Sequence, residues 1–242
     1  MIDWHSHILP AVDDGSKSVT ESLEMLKMIG VQGVDTVVAT PHFFANDECV
    51  TAFADRCEKS YLMLEDAIEE AKKTSETLKI PQVILGAEVK YYNGISRLPE
   101  LKSLAFKNRN LIMIEMDMAR WTEYTVKELV ELSQNYGFTV MLAHIERYSS
   151  FQSTETMERL YESGILMQVN ASCFTGFFTR SKAIKMLRRG QIHVIGSDCH
   201  NLSSRPPSLK FAFDYIEKKL GKEFVRQFNK YGSDIICRTD CN

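Results

Sequence analysis

Seven short apolar runs along this chain each stop on a polar residue, and nearly every one of those residues can bind a metal. Met1–Ile2 leads into Asp3, His5 and His7. The run from Thr36 ends at His42, and the run from Val83 ends at Glu88. Leu111 to Ile114 leads to Glu115, Thr139 to Ala143 to His144, and Leu166 to Val169 to Asn170. His193 to Ser197 leads to Asp198, with His200 close behind. In a parallel barrel the carboxyl ends of the strands converge on one mouth, where barrel chemistry is placed. The pattern predicts one polynuclear metal site gathered from the whole length of the chain.

Helical patterns separate several of these runs. Ser18 and Glu21 have capping-box spacing ahead of Leu23, Met25, Leu26 and Ile29, and Gly30 and Gly33 can end that helix. A long helix is predicted within Thr51–Leu78, closing at Ile80-Pro81. Another follows Thr122 with Val126, Leu129, Val130 and Leu132, and three more lie around Met157–Tyr161, Ala183–Leu187 and Phe211–Ile216. Regular strand–helix alternation argues for a mostly parallel α/β fold. Closure into a barrel is preferred to an open doubly wound sheet, because the polar strand ends share a target and no glycine-rich nucleotide loop supports the alternative. The 242 residues fit one domain, 1–242.

Composition narrows the function classes. Lys and Arg number 29 against 32 Asp and Glu, a net charge of −3 that leaves no nucleic-acid footprint. No apolar stretch approaches the ~18 residues of a membrane span. The amino terminus lacks the pattern of a signal peptide, which favours the cytoplasm. Cys49, Cys57, Cys173, Cys199, Cys237 and Cys241 show no paired spacing and read as free thiols.

Alone, His5-Ser-His7 is weak evidence, although side chains two apart on a strand share a face. Asp13-Asp14-Gly15 alone reads as a turn. Glu88 and Glu115 are harder to dismiss, since a carboxylate ending a buried strand must be paired, hydrogen-bonded or metal-bound. Five of the six histidines fall at or just after strand ends; only His193 reads as a structural histidine. The candidate ligands are His5, His7, Asp14, His42, Glu88, Glu115, His144, Asp198 and His200. Nine exceed a mononuclear set, so two or three ions are implied. Imidazole and carboxylate without obvious thiolate suit Mn²⁺, Fe or Zn²⁺ better than a soft-metal centre. Arg147 and Arg205, each a few residues past a ligand, are placed to bind phosphate oxygens bidentately.

At these residues the chain resembles the PHP superfamily, the polymerase and histidinol phosphatase group, and within it the bacterial capsule-type (CpsB/CapC-like) manganese-dependent tyrosine-protein phosphatases. The resemblance is carried by Ile2 to Gly15, Ala39-Thr-Pro-His42, Gly86-Ala-Glu88, Ala143-His-Ile-Glu-Arg147 and Gly196-Ser-Asp-Cys-His200, followed by Arg205-Pro-Pro207. It spans essentially the entire chain and implies a distorted (β/α)7 barrel of the PHP type with a trinuclear site. It implies His5, His7 and Asp198 at one ion, with Glu88 bridging to a second. Glu115 and His144 would complete that second ion, and Asp14, His42 and His200 would hold a third. It further implies that Arg147 and Arg205 engage the phosphate. The implied substrate is phosphotyrosine on the tail of a bacterial tyrosine kinase controlling capsule or exopolysaccharide assembly. Met116-Asp-Met departs from the family after Glu115, where an aromatic residue is common.

Three competing readings follow from the same residues. Cys199 to Arg205 has the C-x5-R spacing of cysteine-dependent tyrosine phosphatases, but its loop holds no glycine and an adjacent carboxylate disfavours a thiolate. The same metal core would serve a small-molecule phosphatase, such as one acting on histidinol phosphate. A catalytically silent metal-binding scaffold is the alternative from another class.

Overall fold

β1 (Ile2–Ser6) lies parallel to β2 (Thr36–Ala39), which lies parallel to β4 (Gln82–Leu85). β3 (His42–Phe43) begins a second parallel run through β5 (Glu88–Lys90), β6 (Leu111–Glu115), β7 (Thr139–Leu142), β8 (Leu166–Asn170) and β9 (Val194–Gly196). The computed structural model describes residues 1–74, 77–98 and 100–238, so Cys241 lies outside the described residues. The chain curls back on itself where β9 meets β1. Ser6 bridges Cys199, the Asp198 N–H donates to the His5 carbonyl at 2.8 Å, and the His7 N–H donates to the Cys199 carbonyl at 2.8 Å. The parallel α/β barrel expected from the sequence is therefore present.

Two of the seven expected strands are each divided. Pro41 has no N–H to give a ladder, and the break between β2 and β3 falls at Thr40-Pro41. The neighbouring break, at Gly86-Ala87, matches it. Gly86 N–H donates to Ala39 and Glu88 N–H to Pro41, at 2.8 and 3.0 Å, so pairing continues across both breaks.

The helices cover the outside. α1 (Val19–Val31) starts on Ser18, whose hydroxyl accepts from the Glu21 N–H, while the Glu21 carboxylate reaches back to the Lys17 N–H. Gly30 lies inside this helix, not at its end: a Cβ there would come within 1.9 Å of the Lys79 carbonyl oxygen. α2 (Val50–Thr74), α3 (Glu123–Gln134), α4 (Thr154–Glu162), α5 (Phe177–Arg188) and α6 (Leu209–Leu220) follow. Between β5 and β6 the described residues form two short 3-10 turns in place of an α-helix, one source of the distortion. The buried Glu128 carboxylate of α3 braces this segment, accepting from Tyr91 Oη, Ser96 Oγ and the backbone N–H groups of Gly94 and Ser96.

The apolar interior divides as a curled parallel sheet requires. Trp4, Val38, Ile84, Leu111, Met113, Met141, Leu166 and Val194 fill the inside of the ring. Alternate residues such as Val37, Ile112, Val140 and Val169 pack outward against the helices. α7 (Lys222–Arg238), which the sequence reading did not single out, seals the floor. Its Ile235 joins the inner cluster, and a Cβ on Gly232 would stand 3.5 Å from the Trp4 indole.

His193 precedes β9 and is satisfied structurally. Its Nδ1 accepts from the Met167 N–H at 2.9 Å, between the rings of Tyr161 and Tyr231. Burial lowers its pKa to about 4 from 6.5. Between those values the unfolded chain takes a proton that the native state refuses. Stability present above pH 6.5 is therefore lost as pH falls toward 4. His193→Asn keeps an acceptor for Met167 and should flatten the decline of Tm over that window, by on the order of 1–3 kcal/mol at its acid end. Thermal melts at stepped pH test this, and an unchanged slope refutes it.

Candidate metal centre

The first imidazole is aimed by an irregularity in β1. Asp3 pairs with Val37 and Ser6 with Ala39, so β1 carries one extra residue. Such a bulge re-aims side chains beside functional sites. It lets Trp4 enter the inner apolar cluster while its neighbour His5 faces the mouth. Two glycines permit the crowding: a Cβ on Gly196 would come within 2.4 Å of the His5 Cβ, and one on Gly15 within 2.2 Å of the His7 carbonyl oxygen. The Ser16 N–H closes the loop after β1 onto that same carbonyl, turning Asp13 and Asp14 toward the mouth.

All nine expected ligands meet there. Nε2 of His5 and Nε2 of His7 lie 3.1 Å apart, and each lies 3.1–3.7 Å from Glu88 Oε2 and Asp198 Oδ1. His42 is shared, with Nδ1 3.1 Å from Glu88 Oε2 and Nε2 3.7 Å from Asp14 Oδ1. His200 Nε2 is 3.4 Å from Asp14 Oδ1, and His144 Nε2 is 2.8 Å from Glu88 Oε1 and 3.7 Å from Glu115 Oε1. Ligating atoms draw together in three groups: His5, His7 and Asp198; His7, Asp14, His42 and His200; and His42, Glu88 and Glu115. The resemblance put His5, His7 and Asp198 at one ion, as in the first group, but it did not put His7 with Asp14, His42 and His200, nor His42 with Glu88 and Glu115 in place of His144. In the other two, His42 stands between the carboxylates of Glu88 and Asp14, and His144 closes on Glu88 from the far side.

This donor set fits metal ions. Two ring nitrogens 3.1 Å apart can share only one proton between them, and His200 Nε2 is buried without a hydrogen-bond partner among the described residues. Burial opposes charge on Glu88, yet the positive field of His5 and hydrogen bonds from His144, His5 and His7 hold its carboxyl well below the ordinary range. Asp198 behaves alike. Burial likewise opposes protonation of His5 and His7, and the facing carboxylates overcome it. The carboxylates thus demand positive charge at a point that imidazole nitrogens share, and a divalent cation meets that demand with release of the protons.

Hydrogen bonds behind the ligands fix them. His7 Nδ1 donates to Asp13 Oδ2 at 2.7 Å, and Asp13 also accepts from the Gly15 and His42 N–H groups. His200 Nδ1 faces the Asp198 carbonyl at 3.0 Å. His144 and Asp198 have φ of +30° and +54°, a region that non-glycine residues rarely occupy and that clusters at functional sites. Asp198 Oδ2 accepts from Arg147 at 2.6 Å, Arg205 at 2.7 Å and Asn170 at 2.6 Å. The arginine side chains are 37% and 40% exposed, so each guanidinium has one side on a candidate ligand and another on the solvent of the mouth.

Asp13, Gln168 and Asn170 were not among the expected site residues. Asp13 is disguised by its turn sequence. Asn170 ends an apolar run as the ligands do, and Gln168 breaks such a run, which is the one signal either gives. Cys199, by contrast, is fully buried in the layer beneath the helices, and burial pushes its thiol far up, away from thiolate. The C-x5-R spacing therefore does not describe a nucleophile here.

Comparison with known proteins agrees with this geometry. A family model described as capsular polysaccharide synthesis, CpsB/CapC, matches residues 1–236. The tyrosine-protein phosphatase CpsB of Streptococcus pneumoniae is 32% identical over 244 residues, covering 94% of each chain. YwqE of Bacillus subtilis, also a tyrosine-protein phosphatase, is 29% identical over 234 residues, covering 92% of this chain and 86% of the relative. A solved structure from work on YwqE and CpsB, described as unique metal-dependent tyrosine phosphatases, superposes with a TM-score of 0.75 at 27% identity, covering 95% of this chain and 92% of that one. The histidinol phosphate phosphatase of Lactococcus lactis, solved with zinc, L-histidinol and phosphate, shares the fold at a TM-score of 0.52 and 10% identity, over 92% and 93% of the two chains. The chain belongs to the CpsB/CapC family of capsular polysaccharide synthesis proteins.

Proposed function

We propose that this chain is a single metallophosphatase unit that hydrolyses phosphotyrosine on protein, with Mn²⁺ as its metal and two or three ions in the mouth. The observation that carries the reading is the meeting of three ligand groups beneath two guanidinium groups in one mouth. His5, His7, Asp198 and Glu88 would hold one ion, Glu88, Glu115 and His144 a second, and Asp14, His42 and His200 a third. When bound, such ions would supply Lewis acidity toward a phosphoryl group and lower the pKa of a water toward neutrality. Arg147 and Arg205 bind the non-bridging oxygens, where their fork geometry orients the phosphorus for attack. Asp13 holds His7 in the tautomer that turns Nε2 to the site. Cys199 is sealed away, so it offers no thiolate for a cysteinyl-phosphate.

The protein substrate draws support from the rim. Among exposed large apolar residues, Phe44, Met118, Phe151, Phe177, Phe178 and Leu202 all lie on segments that follow strand ends, hence around the mouth. Exposed apolar surface beside a recessed polar site is what a polypeptide flanking the reacting group would cover. Phe177 and Phe178 are 70% and 85% exposed, with the ring of one set edge-on to the other. The kinase-tail substrate, the capsule or exopolysaccharide setting and a cytoplasmic location rest on family membership. Among the described residues, no helix is long and apolar enough to cross a membrane.

Chelation should abolish phosphatase activity, and Mn²⁺ should restore it better than Mg²⁺, because the ligand set is rich in imidazole. Glu88→Gln should lower both metal content and turnover, by more than the roughly 10–100-fold that outer hydrogen-bond partners are worth. Full activity in metal-free protein would rule the mechanism out.

Arg205→Lys replaces a fork by a point charge. It should leave metal content unchanged and cut kcat/KM on a phosphotyrosine peptide by about 10- to 150-fold, the loss of one charge-assisted contact of roughly 1.5–3 kcal/mol. Unchanged steady-state kinetics would show Arg205 to be structural.

Replacing both Phe177 and Phe178 by Ser should raise KM for a phosphorylated protein severalfold, yet leave hydrolysis of a small aryl phosphate alone. Equal effects on both substrates would remove the rim from substrate binding.

A further inference from the structure

Gln168 and Asn170 point from β8 into the barrel, among ligands, and the chemistry above leaves them without a role. Gln168 is fully buried and Asn170 nearly so. Burying two neutral amides costs free energy unless their groups are bonded, and here they form a directed chain. The His144 backbone N–H lies 2.5 Å from Gln168 Oε1. A backbone N–H can only donate, so it settles which end of the amide is oxygen. His5 Nδ1 lies 3.3 Å from that same oxygen and must therefore donate to it, so Nε2 is the nitrogen that faces Glu88 and Asp198 and would give its lone pair to a metal ion. The Gln168 amide nitrogen then donates to Asn170 Oδ1 at 3.0 Å, which turns the Asn170 amide nitrogen onto Asp198 Oδ2 at 2.6 Å.

We propose that Gln168, through Asn170, is a positioning residue for the metal centre: one unambiguous backbone donor sets the tautomer of His5 and the orientation of the Asp198 carboxylate. The same bond holds the His144 backbone at its positive φ, so three candidate ligands from β1, β7 and β9 are set by one side chain on β8. Gly196 leaves room for it, since a Cβ there would approach the Gln168 amide nitrogen to 3.0 Å. His7 and His200 are anchored independently, by Asp13 and by the Asp198 carbonyl. His5 has Gln168 for that purpose. The proposal rests on the metallophosphatase reading.

The test is Mn²⁺ affinity of the full chain, measured by chelator competition on Gln168→Leu, Gln168→Met and Gln168→Glu. Leu and Met fill the space but cannot accept, and should bind Mn²⁺ roughly 10–100-fold more weakly than the parent protein. Glu accepts from both His144 and His5 and should bind more tightly than Leu, although a buried carboxylate should lower Tm more than Leu does. A packing role alone predicts that affinity and Tm fall in the same order. Leu or Met variants binding within twofold of the parent would overturn the proposal. Should they fail to fold, the parent protein loaded with diamagnetic Zn²⁺ decides: the His5 Nδ1–H resonance should be present and slow to exchange with solvent. A rapidly exchanging Nδ1–H would overturn the proposal. If the parent protein binds neither metal, the metallophosphatase reading falls instead, so the two failures are distinct.

Discussion

The carboxylate of Glu88 is the interaction on which this structure turns. It is buried at the start of β5, and four imidazoles from three parts of the chain lie against its two oxygens: His5, His7, His42 and His144. A carboxylate so placed is tolerable only with positive charge around it. Strand order, the break after Leu85 and the glycines that let β1 and β9 crowd together all bring that charge to it.

Asp198 is the complementary centre on the opposite wall. Its two oxygens are divided between tasks, Oδ1 toward the imidazoles and Oδ2 toward Arg147, Arg205 and Asn170. One carboxylate therefore joins the ligand cluster to the groups that face incoming phosphate. Both guanidinium groups rest on the ligand oxygen that faces away from the imidazoles, so phosphate competes with Asp198 Oδ2 for them.

Much of this was legible in the sequence because the barrel makes a simple demand: apolar strands that end polar at one mouth. His42, Glu88, Glu115, His144 and Asp198 each announce themselves that way. What was hidden depends on contacts that no period reveals. The extra residue in β1, which lets Trp4 and His5 serve different layers, leaves no mark in the pattern of residues 2–6. Asp13 looks like turn chemistry and is that too, since it accepts from Gly15 while anchoring His7. Gln168 is visible only as a polar residue where a strand should be apolar. Cys199 shows the opposite error: a suggestive spacing emptied of meaning by burial. α7 lies beyond the strand–helix alternation, and its task at the floor follows from where Trp4 ends up.

The seam between β1 and β9 has a consequence for how the protein comes into being. His5 and His7 leave the ribosome well before Asp198, His200 and Arg205, almost two hundred residues apart in sequence, yet they face one another across backbone hydrogen bonds. Contacts of such long sequence separation form late and slow the folding of the domains that depend on them. Through most of synthesis, the nascent chain holds an incomplete cluster of acidic and imidazole groups with no opposite wall. Only when the segment carrying Asp198 and His200 docks against β1 do these separated donors face one another as a single cluster.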